Sequence, residues 1–224
     1  MTGLALLPPE TEAGDFLEAA FAAPPVTHPF RHWLLDHVLP PDMAHRLAAL
    51  DLPGNAIGET QGRRETNNAA RVFIDAEAQS ADADCRALAA CLQSQPIVQM
   101  LAKRTGADLD GTFLRIEYCR DAEGFWLQPH TDIGAKHFTL LIYLNTPPDG
   151  EAWGTDLFDS QQNYLGTATA YANSGLAFVP GPDTWHGYRR RPMTGLRRTL
   201  IVNYVCPEWR SVHELAFPGE PVRA

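Results

Sequence analysis

The second half of the chain sets the strongest limit on the fold. From Gly111 onward the runs TFLRIEYC, KHFTLLIYLN, YLGTATAYA, GLAFVPG and RRTLIVNYV are rich in β-branched and aromatic residues, and PPDG, NSG and PGPD turns punctuate them. Before Gly111 the apolar positions repeat at helical spacing. PPDMAHRLAAL opens on Pro-Pro-Asp with Asp42 as the expected cap, ADADCRALAACLQSQ follows, and PIVQMLAKRTG starts at Pro96 and stops at Gly106. Helices followed by strands predict one α+β domain, mainly β: a sandwich or barrel with helices packed on its outer face. We place that domain at residues 28–210, with 1–27 as an N-terminal extension carrying one short helix near Asp15–Ala22, and 211–224 as a C-terminal tail. Phe30–Leu39 reads as a strand or short amphipathic segment, Gly54–Ala70 as a polar loop and Arg71–Ile74 as a short strand.

Composition excludes several classes of protein. A chain of 224 residues, 45% hydrophobic, holds enough apolar side chain for one core. Its net charge of −9 argues against a general nucleic-acid face but permits a local basic pocket. No apolar run is long enough to span a membrane, and the first residues lack the basic start of a signal peptide. Cys85, Cys91, Cys119 and Cys206 are scattered without a C-x-x-C pair, which predicts free thiols in a cytoplasmic protein.

Chemistry concentrates in PHTDIGAKHFTLLIYLN, from Pro129 to Asn145. In an extended strand, side chains two apart share a face, so His130 and Asp132 can meet one point in space with Thr131 turned away. An imidazole beside a carboxylate suits iron(II) or another divalent first-row metal, and equally makes an ordinary hydrogen bond. A three-ligand site needs a second histidine. His186, in PGPDTWHGYRRRP after a strand and a tight turn, is the candidate; His213 lies in a polar tail. Further on, GLRRTLIVNYV alternates so that Arg197, Thr199, Ile201 and Asn203 share one strand face. An arginine on the inner face of a barrel is costly unless it meets an anion; the alternative is a cap in solvent.

Taken in order, His130-x-Asp132, His186 and Arg197-x-Thr199 resemble the iron(II)/2-oxoglutarate-dependent oxygenase superfamily, in its prolyl-hydroxylase-like branch. LRIEYCRDAEGFWLQPHTD is similar to that branch's strand leading into its H-x-D motif, TLLIYLN to the next strand, and GTDLFD (154–159) to a glycine-containing turn, here with one glycine. The resemblance spans residues 28–206. It implies a double-stranded β-helix, or jelly roll, with Fe(II) on His130, Asp132 and His186. Arg197 would hold the distal carboxylate of 2-oxoglutarate, helped by Thr199, Tyr118 and Tyr143, with Arg198 as the fallback because a one-residue slip swaps strand faces. The implied reaction uses O2 and releases succinate and CO2 while hydroxylating an unactivated C–H bond of a small molecule or peptide residue. The carboxylate at Asp132 speaks against halogenation. Asn67, Asn68 and Arg71 are candidates for a polar lid, Trp126, Trp153 and Trp185 for pocket walls, and Arg189–Arg191 for an anion-attracting rim, each against the reading of a solvated or core residue. A cupin-like metalloenzyme would show a denser histidine cluster. A non-catalytic binding module would not need the arginine. Nucleic-acid demethylating relatives carry a second arginine where this chain has Asn203.

Overall fold

The computed structural model describes residues 8–52, 54, 56–132, 134–145 and 149–224. The expected PPDG turn falls partly outside these residues. Helices α1 (Pro9–Ala20), α2 (Pro41–Ala48), α3 (Ala76–Ala81), α4 (Ala83–Gln93) and α5 (Gln95–Thr105) precede or interleave with β1 (His32–Leu35) and β2 (Val72–Phe73). Then come β3 (Phe113–Asp121), β4 (Leu127–His130), β5 (Lys136–Tyr143), β6 (Asp156–Phe158), β7 (Tyr164–Thr167), β8 (Ser174–Phe178), β9 (His186–Tyr188) and β10 (Arg197–Val205). A six-stranded sheet runs β1-β8-β5-β10-β3-β2, and a four-stranded sheet runs β4-β9-β6-β7. All the strand pairs within these sheets are antiparallel. The mixed helical and mainly β architecture agrees with the expectation.

Local chemistry explains most element ends. Asp75 and Asp82 cap α3 and α4 by accepting hydrogen bonds from the Ala78 and Cys85 amides. Gly106, at φ 79°, closes α5 in the left-handed conformation that glycine adopts without a Cβ penalty. Asp42 differs from expectation. Pro40 occupies the cap position of α2, and Asp42 sits in the first turn without a capping bond, where its charge still favours the helix N-terminus. The polar 54–70 segment holds a short 3-10 helix over Arg64–Ala70. Helix α1 begins before the short helix expected near Asp15–Ala22 and buries Ala13, Gly14 and Leu17, packing on α4 and α5. In the tail, Leu215, Ala216 and Val222 are buried, and the Ala216 and Val222 amides donate to the carbonyls of Leu114 and Thr112.

The main core lies between the helices and the six-stranded sheet. Leu200, Val202 and Tyr204 of β10, Leu114, Ile116 and Tyr118 of β3, and Phe138, Leu140 and Ile142 of β5 face the helices. The opposite face of the same three strands carries Arg197, Thr199, Ile201 and Asn203 beside Asp121, Cys119, Glu117 and Arg115, and beside Tyr143, Leu141 and Thr139. That second face looks toward the smaller sheet, and it is where the polar chemistry gathers. Gly154 marks the tightest approach in the loop leading into β6: a Cβ there would lie 1.6 Å from the Ala168 carbonyl oxygen.

Adjacent residues of β10 therefore answer to different parts of the protein. Leu200→Ala should cost about 2–5 kcal/mol of stability through the cavity it leaves. Ile201→Ala, half-buried and facing the interior opening, should cost less than half as much. Urea unfolding of the two variants checks the register.

Candidate metal centre

His130 ends β4 and His186 begins β9, and the two are direct partners across the antiparallel pair. Gly187 allows that closeness, because a Cβ there would come within 2.9 Å of the Leu127 carbonyl oxygen. The imidazole centroids are 4.3 Å apart. Asp132 closes the group: its Oδ1 lies 3.6 Å from His130 Nε2 and its Oδ2 3.5 Å from His186 Nε2. One ligating atom from each of the three residues falls within 4.8 Å of the others.

The route to this arrangement differs from simple strand alternation. Asp132 has left β4 and sits at φ 61°, in the left-handed region that aspartate tolerates better than most residues. In that conformation its carboxylate faces both imidazoles. Thr184, buried after β8, ties the two ligand-bearing segments together: its Oγ1 lies 3.0 Å from the Thr131 carbonyl and accepts from the Gly181 amide. Nothing in the sequence marked Thr184 beyond its place two residues before His186.

Both histidines are oriented for a metal. His130 Nδ1 lies 2.9 Å from the Gln128 carbonyl, and His186 Nδ1 2.9 Å from the Thr184 carbonyl. A carbonyl only accepts, so each ring carries its proton on Nδ1 and presents the Nε2 lone pair. Burial, aided by neighbouring His186, pushes the His130 imidazole down to about 4, which keeps it neutral at pH 7. Burial alone would raise the Asp132 carboxyl, but the Lys136 ammonium holds it well below the usual carboxylate range. Lys136 Nζ is 2.9 Å from Asp132 Oδ1. Two neutral nitrogens and an ionised carboxylate are a donor set for iron(II) and similar first-row ions.

The centre opens into a cavity of about 540 Å³ that also reaches Arg197. Arg197 is buried; its Nε donates to the Trp153 carbonyl at 2.6 Å and its Nη1 to Asp121 Oδ2 at 2.6 Å. Arg64 holds the same carboxylate through two bonds of 2.6 and 3.0 Å. Two guanidinium groups thus share one buried carboxylate, leaving a positive charge to be met. Tyr188 lines the cavity beside Arg197, and its hydroxyl has no partner among the described residues. Thr199 Oγ1, on the same strand face as Arg197, is likewise buried without one, but Thr199 does not line the cavity. The orphaned Tyr188 hydroxyl beside a surplus cation fits a carboxylate-bearing ligand.

Other expected residues fall differently. Tyr118 points to the helix side of β3 and donates to the Leu47 carbonyl, so the structure does not bring it to the cavity. The β3 register places Asp121 and Cys119, not Tyr118, opposite Arg197 and Thr199. Arg198, the fallback for Arg197, has no place on the cavity wall. Tyr143 lies behind the wall and donates to Thr155 Oγ1 at 2.8 Å; Thr155 is the residue that lines the cavity. Trp153 contributes its carbonyl to Arg197 while its ring packs with Tyr188 and Met193. Trp126 donates to the Thr60 carbonyl and, like Trp185, does not line the cavity. Arg71 does, paired with Glu117 at 2.9 Å. Asn67 bonds Thr66 and the Glu59 carbonyl away from the cavity, and the Asn68 side chain lies outside the described residues. Arg189 and Arg191 share buried Asp156, and Arg190 pairs with Glu59, so this run is engaged with carboxylates outside the cavity and does not line it. Lys136, Thr155 and Tyr188 were missed because each reads as an ordinary strand-end or turn residue.

No family model and no curated protein matches the chain. Solved structures do. The chain is similar to a prolyl-4-hydroxylase of Pseudomonas putida, with 14% identity and a TM-score of 0.55 over 86% of this chain and 93% of that one. It is similar to a Trichoplax adhaerens prolyl hydroxylase solved with a hypoxia inducible factor peptide fragment: 12% identity, TM-score 0.57, 88% and 90% covered. A viral collagen prolyl hydroxylase from Paramecium Bursaria Chlorella virus-1, solved with 2-oxoglutarate, matches at 11% identity and TM-score 0.50, with 78% and 96% covered. The chain therefore has the fold of the prolyl hydroxylases, as the resemblance implied.

Two outcomes test the electrostatics. Asp121→Asn leaves Arg64 and Arg197 without their shared counter-charge and should cost about 3–5 kcal/mol in urea unfolding. His130 titrates near 6.5 when unfolded and near 4 when folded, so the unfolded chain takes up its proton first. The metal-free protein should lose thermal stability as pH falls from 6.5 towards 4, and His130→Gln should lose less over that window.

Proposed function

We propose that the protein is an iron(II)- and 2-oxoglutarate-dependent dioxygenase that hydroxylates an unactivated C–H bond of a small molecule or peptide residue. One observation carries this reading: His130, Asp132 and His186 converge on one point and open into the same cavity as a buried arginine with unmet charge. On this reading the two sheets are the walls of a double-stranded β-helix. Four free cysteines, three of them buried, support a cytoplasmic protein.

Bound iron would supply the oxidising chemistry, using O2 and the decarboxylation of 2-oxoglutarate to succinate. The chain's own contribution is placement. The Nδ1 bonds to Gln128 and Thr184 hold the two imidazoles in the ligating tautomer. Arg197 meets the distal carboxylate, fixed in direction by Trp153 and Asp121, with Tyr188 offering a hydroxyl donor from the cavity wall and Thr199 buried behind it. Thr155, backed by Tyr143, lines the same end of the cavity. Leu141 and Ile201 make an apolar floor between the charged ends, which excludes water from the keto acid's methylene chain. No side-chain acid or base is needed for hydrogen abstraction from carbon.

Anaerobic addition of iron(II) and then 2-oxoglutarate should produce a visible metal-to-ligand charge-transfer band. His130→Ala should abolish it. Arg197→Met should raise the 2-oxoglutarate concentration needed by about 10- to 100-fold, the loss of a charge-assisted contact. A folded, iron-loaded protein without the band would overturn the proposal.

A further inference from the structure

Beyond the metal, away from Arg197, the cavity is walled by charge. Arg71 and Arg115 interlock with Glu117 and Glu214 through contacts of 2.6 to 3.6 Å, and the four charges cancel. At the Arg197 end, the surplus positive charge of Arg64, Arg197 and Asp121 would be met by the distal carboxylate of the keto acid on the reading proposed above. The metal centre does not balance in the same way. Asp132 is already neutralised by Lys136, whose ammonium lines the cavity and is only about a fifth exposed. A divalent ion adds two positive charges there, and the ligating carboxylate of the keto acid returns one negative. One positive charge remains, in a site only partly open to water, with Asp132 about a tenth and Lys136 about a fifth exposed, where an unmatched charge is disfavoured. Lys136 sits nearest that charge; of the other cations on the cavity wall, Arg71 and Arg115 are committed to Glu117 and Glu214, Arg64 and Arg197 to Asp121, and Arg63 is exposed to solvent.

Resting on the function proposed above, we infer that Lys136 receives the primary substrate, and that the substrate is a small molecule bearing a single carboxylate near the carbon to be oxidised. A neutral substrate leaves the charge unmatched. A phosphate ester, with two negative charges, overshoots it. The remaining surfaces agree with a polar, compact ligand: Ser211 and Trp209 line this side, and Arg115 lies 5.5 Å over the Trp209 ring. Among the described residues, Lys136 is the one lysine on the cavity wall; Lys103 lies in the last turn of α5.

The test uses the anaerobic iron(II) protein saturated with 2-oxoglutarate, titrated with propionate, propionamide and propylamine while the charge-transfer band is followed. Propionate should shift the band saturably, and the amide and amine should leave it unmoved. In Lys136→Met the apparent Kd for propionate should rise about tenfold or more, and in Lys136→Arg it should stay within about threefold. Three results would overturn the inference: propionate and propionamide acting alike, propionate binding Lys136→Met as tightly as the parent protein, or a raised 2-oxoglutarate requirement in Lys136→Met, which would assign the lysine to the cosubstrate. Should the variant fail to fold, the comparison of acid with amide on the parent protein still decides. Absence of the band in the parent protein overturns the oxygenase reading itself, and is distinct from a band that propionate leaves unmoved.

Discussion

Strand β10 is sandwiched between β3 and β5, and its strict alternation governs the rest of the molecule. Leu200, Val202 and Tyr204 build the core under the helices. Arg197, Thr199, Ile201 and Asn203 build the interior of the other face. A slip of one residue would send the arginine into the helical core and three large apolar side chains into the polar cavity. The hydrophobic demand of one face therefore pins the position of the functional groups on the other. The same applies to β3, where Ile116 and Tyr118 go one way and Glu117 and Asp121 the other.

That coupling also explains why so many ionised groups survive in the interior. Arg64, Arg197 and Asp121 form one set, and Arg71, Arg115, Glu117 and Glu214 another, with Arg64 reaching Glu117 at 3.8 Å. Burial would push the Glu117 carboxyl up, but the Arg115, Arg71 and Arg64 guanidinium groups hold it low. Buried ion pairs of this kind are a weak source of stability compared with apolar packing. Their effect is to hold side chains in fixed directions without water. A site that orients charged ligands can use that directly.

Much of this was legible in the sequence, and the misses have identifiable causes. The shift from helical periodicity to strand-and-turn punctuation at Gly111 gave the class of fold. Alternation along RRTLIVNYV gave the correct face for Arg197 and Thr199. Tyr118 misled because its assignment came from likeness to a family strand, whereas the β3 register against β10 puts odd-numbered residues inside. Asp132 joins the two histidines from a left-handed backbone conformation that no periodicity rule describes. The partners of Arg197, Asp121 and the Trp153 carbonyl, come from segments far apart in the chain, as does Arg64, which shares Asp121 with it, and only the assembled sheets bring them together. The three tryptophans were read from nearness in sequence, which says little about which wall of a cavity a side chain joins.

The conformation at Asp132 has a consequence for how this position can change. A backbone at φ 61° is one that glycine adopts freely and a side chain adopts under strain. Replacing Asp132 by glycine would ease the turn while deleting a ligand, so folding and metal chemistry favour different residues at the same point. The easier backbone would come at the loss of the counter-charge of Lys136, so strain and electrostatics pull this position in opposite directions. The replacement would leave a two-histidine centre with Lys136 still beside it: a site that has exchanged its own anion for one taken from solution.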